Sequence, residues 1–554
     1  MTRHAPHPGW YLAVFVLAAG VYTNTLGYGA AWDDTRFVFE SGARGGVTAI
    51  PDLFASPFLS DIPPGRSPYR PVTASSYAID WTLGSGNASF FHWTNVGLHA
   101  TISALVLGLL VLLGASPGGA VAGAAVFAVH PVHVEAVANL AGRAELLVAC
   151  FLLLAILAYL GSTALGVRRD PTRDTAPGPV ATAVILVAFG LGLGAKENAI
   201  VLPGLLVVVE ALRPAARGPL RARLGRRLPL GVGLVLVAAG YMLTRQSVLG
   251  TFTTFDVAPF ILTLDPATRI STAVANWSEY ARLMVAPADL VIDYGPAVVM
   301  PAAPGSPRFF AGSAVGLGVL VLAVVAWSRT RLPAVGLAWF AVAVFPVTNL
   351  VIPIAQWLAE RFLYLPSVGL SLAVAGAVPL LRERASTPGA RRALAGAGLI
   401  VLVAFSVRSW TRNASWETTE TVVQTLVEEH PEAFRAQWLL GRALLASGRP
   451  IDGMTALQRA RDLNPNAIEL HLEVAEWELR LGRPGDARRT LEELPTGRHP
   501  GRDALLARAL HAVGRPGAAD SVIYLGLTAF PANEALLALR DSLTDLTTPP
   551  EPSR

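Results

Sequence analysis

The stretch ALAGAGLIVLVAFSVRSWTRNASWETTETV, residues 393–422, joins two parts of the chain that differ in character. Its first part, residues 393–411, is apolar and long enough to cross a bilayer as a helix. Upstream of this join, apolar segments alternate with basic clusters, and downstream the chain carries a soluble helical repeat. The join therefore predicts a membrane body over residues 1–411 and a separate domain over residues 412–546.

The overall composition is that of a membrane protein. Mean hydropathy is +0.47, hydrophobic residues make up 53% of the chain, and charged residues make up only 15%. Soluble chains of this length are less apolar. The net charge of +5 lies in short loops between apolar runs, which predicts membrane orientation and argues against nucleic-acid binding. The single cysteine, Cys150, excludes an intramolecular disulfide.

Apolar segments of about 20 residues predict an all-α, polytopic membrane helical bundle with about 11 spans. We interpret the first segment as a span, not a cleaved signal peptide, because the string Trp32-Asp33-Asp34 follows it without a small-residue cleavage site. The predicted spans are residues 10–28, 91–113, 117–133, 143–163, 179–195, 198–213, 229–249, 309–328, 332–354, 362–381 and 393–411.

Arginine-rich loops predict how the bundle is oriented. If the N-terminus is cytoplasmic, four basic clusters all fall on the cytoplasmic side, as the positive-inside rule requires. The C-terminal domain and the long loops 29–90, 134–142 and 250–308 then lie outside. The Arg-, Ala- and Gly-rich composition is typical of bacteria, so we expect an integral protein of the bacterial inner membrane. The clusters are Arg168, Arg169 and Arg173; Arg213, Arg217, Arg221, Arg223, Arg226 and Arg227; Arg329 and Arg331; and Arg382, Arg384, Arg391 and Arg392.

The C-terminal domain contains a repeated Gly-Arg-Pro triplet, which starts at Gly448, Gly482 and Gly514 with spacings of 34 and 32 residues. Glycine permits the turn between two helices, and the period is that of a TPR α-solenoid. We predict repeats at about 434–467, 468–499 and 500–533, and a disordered tail at 547–554. Such solenoids bind peptides or partner proteins in a concave groove.

Adjacent carboxylates follow the first span. Asp33 and Asp34 lie at the predicted outer membrane boundary, where two like charges are costly unless they are hydrated or functional. A carboxylate there could act as a general base on a hydroxyl acceptor. The alternative is a solvated loop start in which an aspartate caps a helix.

A second polar group lies between the third and fourth spans. It contains His130, His133, Glu135, Arg143 and Glu145, and two histidines with a glutamate could bind a metal. Because Pro131 breaks the helix between the histidines, they need not share a face, so a metal is not favoured. A hydrogen-bonded network at a membrane-edge site is the preferred interpretation.

Two further groups contain cations on the same predicted face. Lys196 and Glu197 separate the fifth and sixth spans, and Glu360, Arg361 and Tyr364 precede or open the tenth. Lysine and arginine near an interface suit a phosphate, which arginine can bind through two parallel hydrogen bonds. The alternative for each group is an internal salt bridge.

Taken together, these strings resemble the TMTC family of membrane O-mannosyltransferases with C-terminal TPRs, and their bacterial relatives of GT-C type. The resemblance covers nearly the whole chain. HPVHVEAV and ERFLYLPS in this order are specific, whereas WDD and KEN alone are weak. The matching strings are WDD at 32–34, YRPVTASSYAID at 69–80, FFHWTNVGLHA at 90–100, HPVHVEAVANLAGRAELL at 130–147, KEN at 196–198 and ERFLYLPSVGL at 360–370.

This resemblance implies an inverting glycosyltransferase that uses a polyprenyl-phosphate-linked sugar. Asp33 or Asp34 would be the catalytic carboxylate, and the TPR groove would hold a protein or peptide acceptor or a partner. No cofactor is certain, and a divalent metal stays open but is not favoured. The repeats are fewer than in the animal members. Because the Arg-, Ala- and Gly-rich composition looks bacterial, mannose and cadherin-like acceptors are not carried over. The resemblance assigns Arg143, Lys196, Arg361 and Tyr364 to the donor phosphate and His130, His133, Glu135, Glu197 and Glu360 to the pocket.

Two other classes of function are weighed against the transferase. A non-catalytic, membrane-anchored TPR scaffold for envelope protein assembly would be expected to lose the aspartate pair or the cations, yet this chain has both. A lipid or polymer transporter would be expected to place charges at mid-span. Here they gather at the span ends, which favours the transferase.

Overall fold

The computed structural model describes residues 7–59, 67–169, 176–212, 219–252, 261, 264–295, 298–351, 353–354, 356–465, 467–494 and 499–547. Within these ranges every regular element is a helix, which confirms the all-α prediction. The predicted tail falls outside them beyond Thr547, as do Arg173, Arg213 and Arg217 of the basic clusters. By its contacts the chain divides into two compact units, Met1–Val422 and Val423–Arg554.

The first unit is a bundle of α-helices joined by short 3-10 turns. Each of the eleven predicted spans overlaps one of these helices or a helix and its adjoining turn, but the predicted span 332–354 extends beyond its turn, which ends at Val347. The helices are α1 Gly9–Val21, α2 Ile50–Ala55, α3 Pro71–Gly84, α4 Ala88–Leu112, α5 Pro117–Val129, α6 Val134–Val137, α7 Arg143–Arg169, α8 Pro179–Ala195, α9 Leu202–Leu212, α10 Leu220–Gly225, α11 Leu228–Leu249, α12 Pro266–Val285, α13 Pro307–Arg329, α14 Arg331–Val344, α15 Ser367–Arg384 and α16 Pro388–Asn413.

Several of these helices are long and apolar enough to cross a membrane. Among the described residues, five segments meet this test by length and composition, at Ala88–Leu112, Leu140–Thr163, Leu228–Leu249, Pro307–Trp327 and Pro388–Trp416. A sixth is the pair Pro117–Val129 and Pro131–Val137, which is bent by 48°. Shorter apolar helices occur at Gly9–Val21, Pro179–Ala195 and Arg331–Val347. The chain is therefore an integral membrane protein, while eleven spans and their orientation stay predictions.

The apolar side chains of α13 and α16 are largely exposed. Only 6% of the most apolar stretch of each helix is buried, so side chains such as Leu320, Val324 and Ile400 face outward. In a membrane, such side chains contact lipid tails. A helix can lie there because it satisfies all its backbone hydrogen bonds internally. On the inner side, α14 and α15 approach so closely at Gly336 and Gly369 that a Cβ atom on either would overlap the other backbone. Small residues at such crossings are typical of membrane bundles.

The second unit consists of stacked helix pairs, as predicted for a helical repeat. The glycine of each Gly-Arg-Pro triplet has a positive φ, at 75° for Gly448, 70° for Gly482 and 75° for Gly514. Each triplet proline is the first residue of the following helix, where its missing N–H costs nothing. The three repeat ranges stay a prediction. The helix α17 leads from the first unit into the second. The helices are α17 Thr419–Glu429, α18 Phe434–Ala446, α19 Pro450–Leu463, α20 Ile468–Arg480, α21 Pro484–Glu492, α22 Pro500–Ala512, α23 Pro516–Ala529 and α24 Glu534–Thr547.

Candidate functional site

The two adjacent aspartates have different surroundings. Asp34 is buried, and its two carboxylate oxygens accept hydrogen bonds from the backbone N–H groups of Ala31 at 3.1 Å and Ala141 at 2.8 Å. Burial raises the pKa of Asp34 to about 7, although these amides and that of Leu140 oppose the rise. Asp34 therefore anchors the loop after α1 to the turn before α7.

Asp33 is partly exposed, beside this anchor. Its carboxylate interacts electrostatically with the guanidinium of Arg361, which follows it by more than three hundred positions in the chain. The residue before it, Trp32, has a φ of 50°, in a region that side chains other than glycine adopt rarely. Of the two aspartates, Asp33 is the more exposed.

Arg361 lies on the 3-10 turn Glu360–Leu363, just before α15. Its guanidinium pairs with the Glu135 carboxylate and also donates to Gln356 Oε1 at 2.7 Å. The backbone N–H of Arg361 donates to the second oxygen of Glu135 at 2.8 Å. About a quarter of the Arg361 side chain stays exposed, at 23%. Glu135 thus holds Arg361 in place without removing it from solvent.

Lys196 is brought to the same place by the turn between α8 and α9. It pairs with Glu145, whose second oxygen accepts from Asn198 Nδ2 at 2.9 Å. Its Nζ atom lies 5.1 Å from the ring centroid of Phe362, and the Arg361 Cζ atom lies 5.4 Å from the same ring. Burial lowers the pKa of Lys196, Glu145 opposes this, and Arg70 and Arg361 lower it further. Lys196 and Arg361 therefore lie beside the same aromatic ring, and the charge of Arg361 lowers the pKa of Lys196.

A third cation, Arg70, joins this cluster. Its Nε atom lies 3.6 Å from Glu197 Oε2, and both side chains are partly exposed. The position of Arg70 directly before α3, in the string Tyr69-Arg70-Pro71, is a signal that could have identified it. Asn198, Gln356 and Phe362 are further members of the cluster that sequence reasoning did not select.

Arg143 lies inside the bundle, where its side chain is 0% exposed. It forms an ion pair with Asp80 at 2.6 Å and donates to Asn95 Oδ1 at 2.7 Å and to the Phe91 carbonyl at 2.9 Å. Its guanidinium also lies over the Tyr77 ring, 4.6 Å from the centroid. These contacts join α3, α4 and α7, so the geometry favours a positioning role over the predicted phosphate contact.

The histidines and Tyr364 form a separate, buried group. His133 Nε2 lies 2.8 Å from Ser367 Oγ, His130 Nε2 lies 3.1 Å from the Met284 carbonyl, and Tyr364 Oη lies 2.8 Å from His99 Nδ1. The rings of His133 and Tyr364 pack with their centroids 4.6 Å apart. In the part of the chain that the structure describes, no group of three or more His, Cys, Asp or Glu residues has a metal-binding arrangement. These side chains are buried and pack against one another in the interior of the bundle.

Glu360 points away from its neighbour Arg361. Its Oε1 atom accepts from the Val291 N–H at 2.6 Å and from the Tyr294 hydroxyl at 3.0 Å, and the residue is 2% exposed. Burial raises the pKa of Glu360 to about 8, Arg412 opposes this, and Glu135 adds to it. Glu360 thus ties the loop after α12 to the turn that carries Arg361.

The raised pKa of Glu360 predicts a pH-dependent stability. The native state binds this proton more tightly than the unfolded chain does, so the stabilisation is complete below pH about 4.5 and is lost as the pH rises through about 8. Glu360→Gln, which keeps a neutral acceptor, should remove that loss. We expect the melting temperature of the detergent-solubilised wild type to fall more steeply than that of the variant between pH 5 and 8. Parallel curves for the two proteins would contradict this.

Comparison with known proteins gives relatives but no matching family model. The chain is 26% identical over 506 residues to the Homo sapiens protein named Protein O-mannosyl-transferase TMTC3, covering 84% of this chain and 52% of the relative. It is 33% identical over 288 residues to Drosophila melanogaster Protein O-mannosyl-transferase Tmtc2, covering 50% of this chain and 30% of the relative. Drosophila melanogaster Protein O-mannosyl-transferase Tmtc3 is 25% identical over 553 residues. The chain spans about half the length of the curated relatives that it matches over most of its own sequence.

Proposed function

This chain is a TMTC-like protein, and from that premise we propose that it is a membrane glycosyltransferase that glycosylates proteins. We propose further that the donor is a sugar linked to a polyprenyl phosphate and that the acceptor is a serine or threonine hydroxyl. The observation that carries this proposal is the gathering of Asp33, Lys196, Arg361 and Arg70 from four distant parts of the sequence into one partly exposed cluster.

In the proposed reaction, Asp33 accepts the proton of the acceptor hydroxyl while that oxygen attacks C1 of the sugar. The bond between C1 and the phosphate oxygen breaks, and its electron pair leaves with the polyprenyl phosphate. Attack from the side opposite the leaving group inverts the configuration at C1. Asp34 does not compete for the proton, because it is fully buried and an acceptor hydroxyl cannot reach its carboxylate.

The cations are suited to the leaving group. A phosphodiester donor carries one negative charge, and the phosphate monoester that departs carries up to two. Arg361, Lys196 and Arg70 already have carboxylate partners in Glu135, Glu145 and Glu197, which hold them in position before the substrate arrives. Positive groups fixed where charge develops lower the barrier, because they bind the transition state more strongly than the ground state.

The membrane body supports a lipid-borne donor. Apolar helices such as α13 and α16 expose their side chains to lipid, so a polyprenyl chain can reach the body within the plane of the membrane. We propose that the site faces the outside of a bacterial inner membrane, with the N-terminus in the cytoplasm, as the arginine clusters predict. The C-terminal helical repeat would then hold the acceptor protein or a partner on the same side.

Sugar transfer by membranes that contain the full chain tests the function. Labelled polyprenyl-phosphate mannose and glucose would be supplied in parallel, with the matching nucleotide sugars as comparison donors. We expect label in the protein fraction only with a polyprenyl-phosphate donor, and its release by alkaline β-elimination. If protein, glycan and lipid fractions carry no more label than empty membranes with every donor, the scaffold alternative is favoured instead.

Arg361→Lys tests the proposed phosphate contact. Lysine keeps the charge and the pairing with Glu135 but loses the planar fork, so we expect turnover to fall by about tenfold or more. The measurement is kcat for sugar transfer at saturating acceptor. Arg44→Lys is a matched control, because the Arg44 guanidinium also lies over an aromatic ring, that of Trp81 at 5.9 Å, in the first outer loop. Equal turnover in the two variants would remove Arg361 from the proposed site.

A further inference from the structure

The segment that leads from α16 into α17 contacts the backbone next to Asp33. Trp32 N–H donates to Thr419 Oγ1 at 2.8 Å, and Gly29 N–H donates to the Glu417 carbonyl at 3.2 Å. The indole rings of Trp32 and Trp416 are stacked, with centroids 6.4 Å apart and planes inclined by 17°. Nearly four hundred positions separate these partners in the sequence. The end of the membrane body therefore binds the loop after α1 at the residue that precedes the proposed base.

Trp32 adopts a backbone conformation that its surroundings must hold in place. Its φ of 50° lies in the left-handed region, which is unfavourable for a bulky side chain and persists only when the surroundings impose it. The stacked Trp416 is itself only 2% exposed, so it presents a fixed surface to the indole of Trp32. The hydroxyl of Thr419 fixes the backbone N–H of the same residue. Together with the turn that the Asp34 N–H closes on the Ala31 carbonyl at 2.9 Å, these two contacts hold Trp32 at this φ.

Asp33 lies between two fixed residues. On one side Trp32 is held by Trp416 and Thr419, and on the other Asp34 is held by the amides of Ala31 and Ala141. A change of φ at Trp32 would rotate the chain at Asp33 and redirect its carboxylate. Misplacing a catalytic group by about 1 Å can lower a rate by about 100-fold, because the reacting atoms must be aligned.

We propose that Trp416 and Thr419 are positioning residues that hold the Asp33 carboxylate at the geometry required for sugar transfer. This inference rests on the proposed function, because Asp33 must act as the base for its position to matter. Both residues lie a few positions before Val423, where the second unit begins. The segment that follows α16 therefore helps to position the proposed base.

Thr419→Val provides the first test in the full-length protein. Valine has the same shape but offers no oxygen to the Trp32 N–H, and Thr419 is exposed, so the variant should fold. We expect kcat to fall by about tenfold while the KM for the labelled polyprenyl-phosphate sugar changes by less than about twofold, because the base moves and the phosphate contacts do not. Thr419→Ser, which restores the hydroxyl, should recover most of the lost kcat.

Thr411→Val is the matched control. The Thr411 hydroxyl bonds the carbonyls of Val407 and Arg408 in its own helix, and its side chain is also exposed. This variant should keep the wild-type kcat. The inference is overturned if Thr419→Val keeps the wild-type kcat, if serine fails to rescue it, or if Thr411→Val loses as much activity.

A second variant decides the question if Thr419→Val does not fold. Trp416→Phe keeps an aromatic ring but reduces the stacked area against Trp32, and it should lower kcat with little change in donor KM. An unchanged kcat in this variant overturns the inference. Failure of the proposed function gives a different result, since the wild type would then transfer no sugar at all.

Discussion

Asp33→Asn is expected to lower the turnover of sugar transfer by at least about 100-fold, because asparagine cannot accept the proton of the acceptor hydroxyl. The substitution keeps the size of the side chain, and Asp33 is partly exposed, so the protein should fold normally. The measurement is kcat with labelled polyprenyl-phosphate sugar, together with the yield and melting temperature of the solubilised protein.

Two other variants separate catalysis from folding. Asp52→Asn changes an exposed aspartate in the same segment, between α1 and α3, and should leave turnover unchanged. Asp34→Asn should instead lower the amount of folded protein, because its carboxamide NH₂ would face a backbone N–H where the carboxylate oxygens now accept hydrogen bonds. Wild-type turnover in Asp33→Asn would show that the base lies elsewhere.

Arg143→Met is expected to destabilise the membrane body by about 3–5 kcal/mol, because it leaves the Asp80 carboxylate buried without its partner. Methionine preserves much of the length and apolar volume of the arginine side chain. Burial raises the pKa of Asp80, and Arg143 opposes this rise, so without Arg143 the carboxyl should protonate more readily. The loss of stability should therefore be smaller at pH 5 than at pH 8.

The double variant Arg143→Met with Asp80→Asn tests the mechanism of this loss. Removing both charges should restore a large part of the melting temperature, because no unpaired charge is left in the interior. Arg449→Met, which breaks the exposed pair with Asp452 in the second unit, serves as control and should change the melting temperature little. If the double variant is no more stable than Arg143→Met, loss of the ion pair is not the cause.

The sequence predicted the helices well because their signals are local. Runs of apolar residues and the prolines and glycines between them report the conformation of the neighbouring chain, and each predicted span overlaps a helix. The Gly-Arg-Pro triplets likewise predicted turns in which Gly448, Gly482 and Gly514 adopt positive φ. A left-handed turn favours glycine because glycine has no Cβ atom to clash there, and this preference is local to the turn.

The roles within the candidate site are less accessible from sequence, because they depend on burial. Asp33 and Asp34 are chemically identical neighbours, and only the fold buries Asp34 against the turn at Ala141. Arg143 and Arg361 look alike in the sequence, since both are arginines near the end of a predicted span. In the fold, however, the Arg143 side chain pairs with Asp80 inside the bundle. Burial is decided by segments that pack from elsewhere in the chain, so a residue's own neighbours do not report it.

By itself, the sequence determined that this chain is an all-helical membrane protein with a C-terminal helical repeat, because hydropathy and turn residues act over a few positions. Only the tertiary structure decided that Lys196 and Arg361 meet at Phe362, that Arg70 joins them, and that Trp416 stacks on Trp32 beside Asp33. Those contacts join residues that are far apart along the chain. They arise from the packing of helices against one another, and a sequence pattern carries no record of that packing.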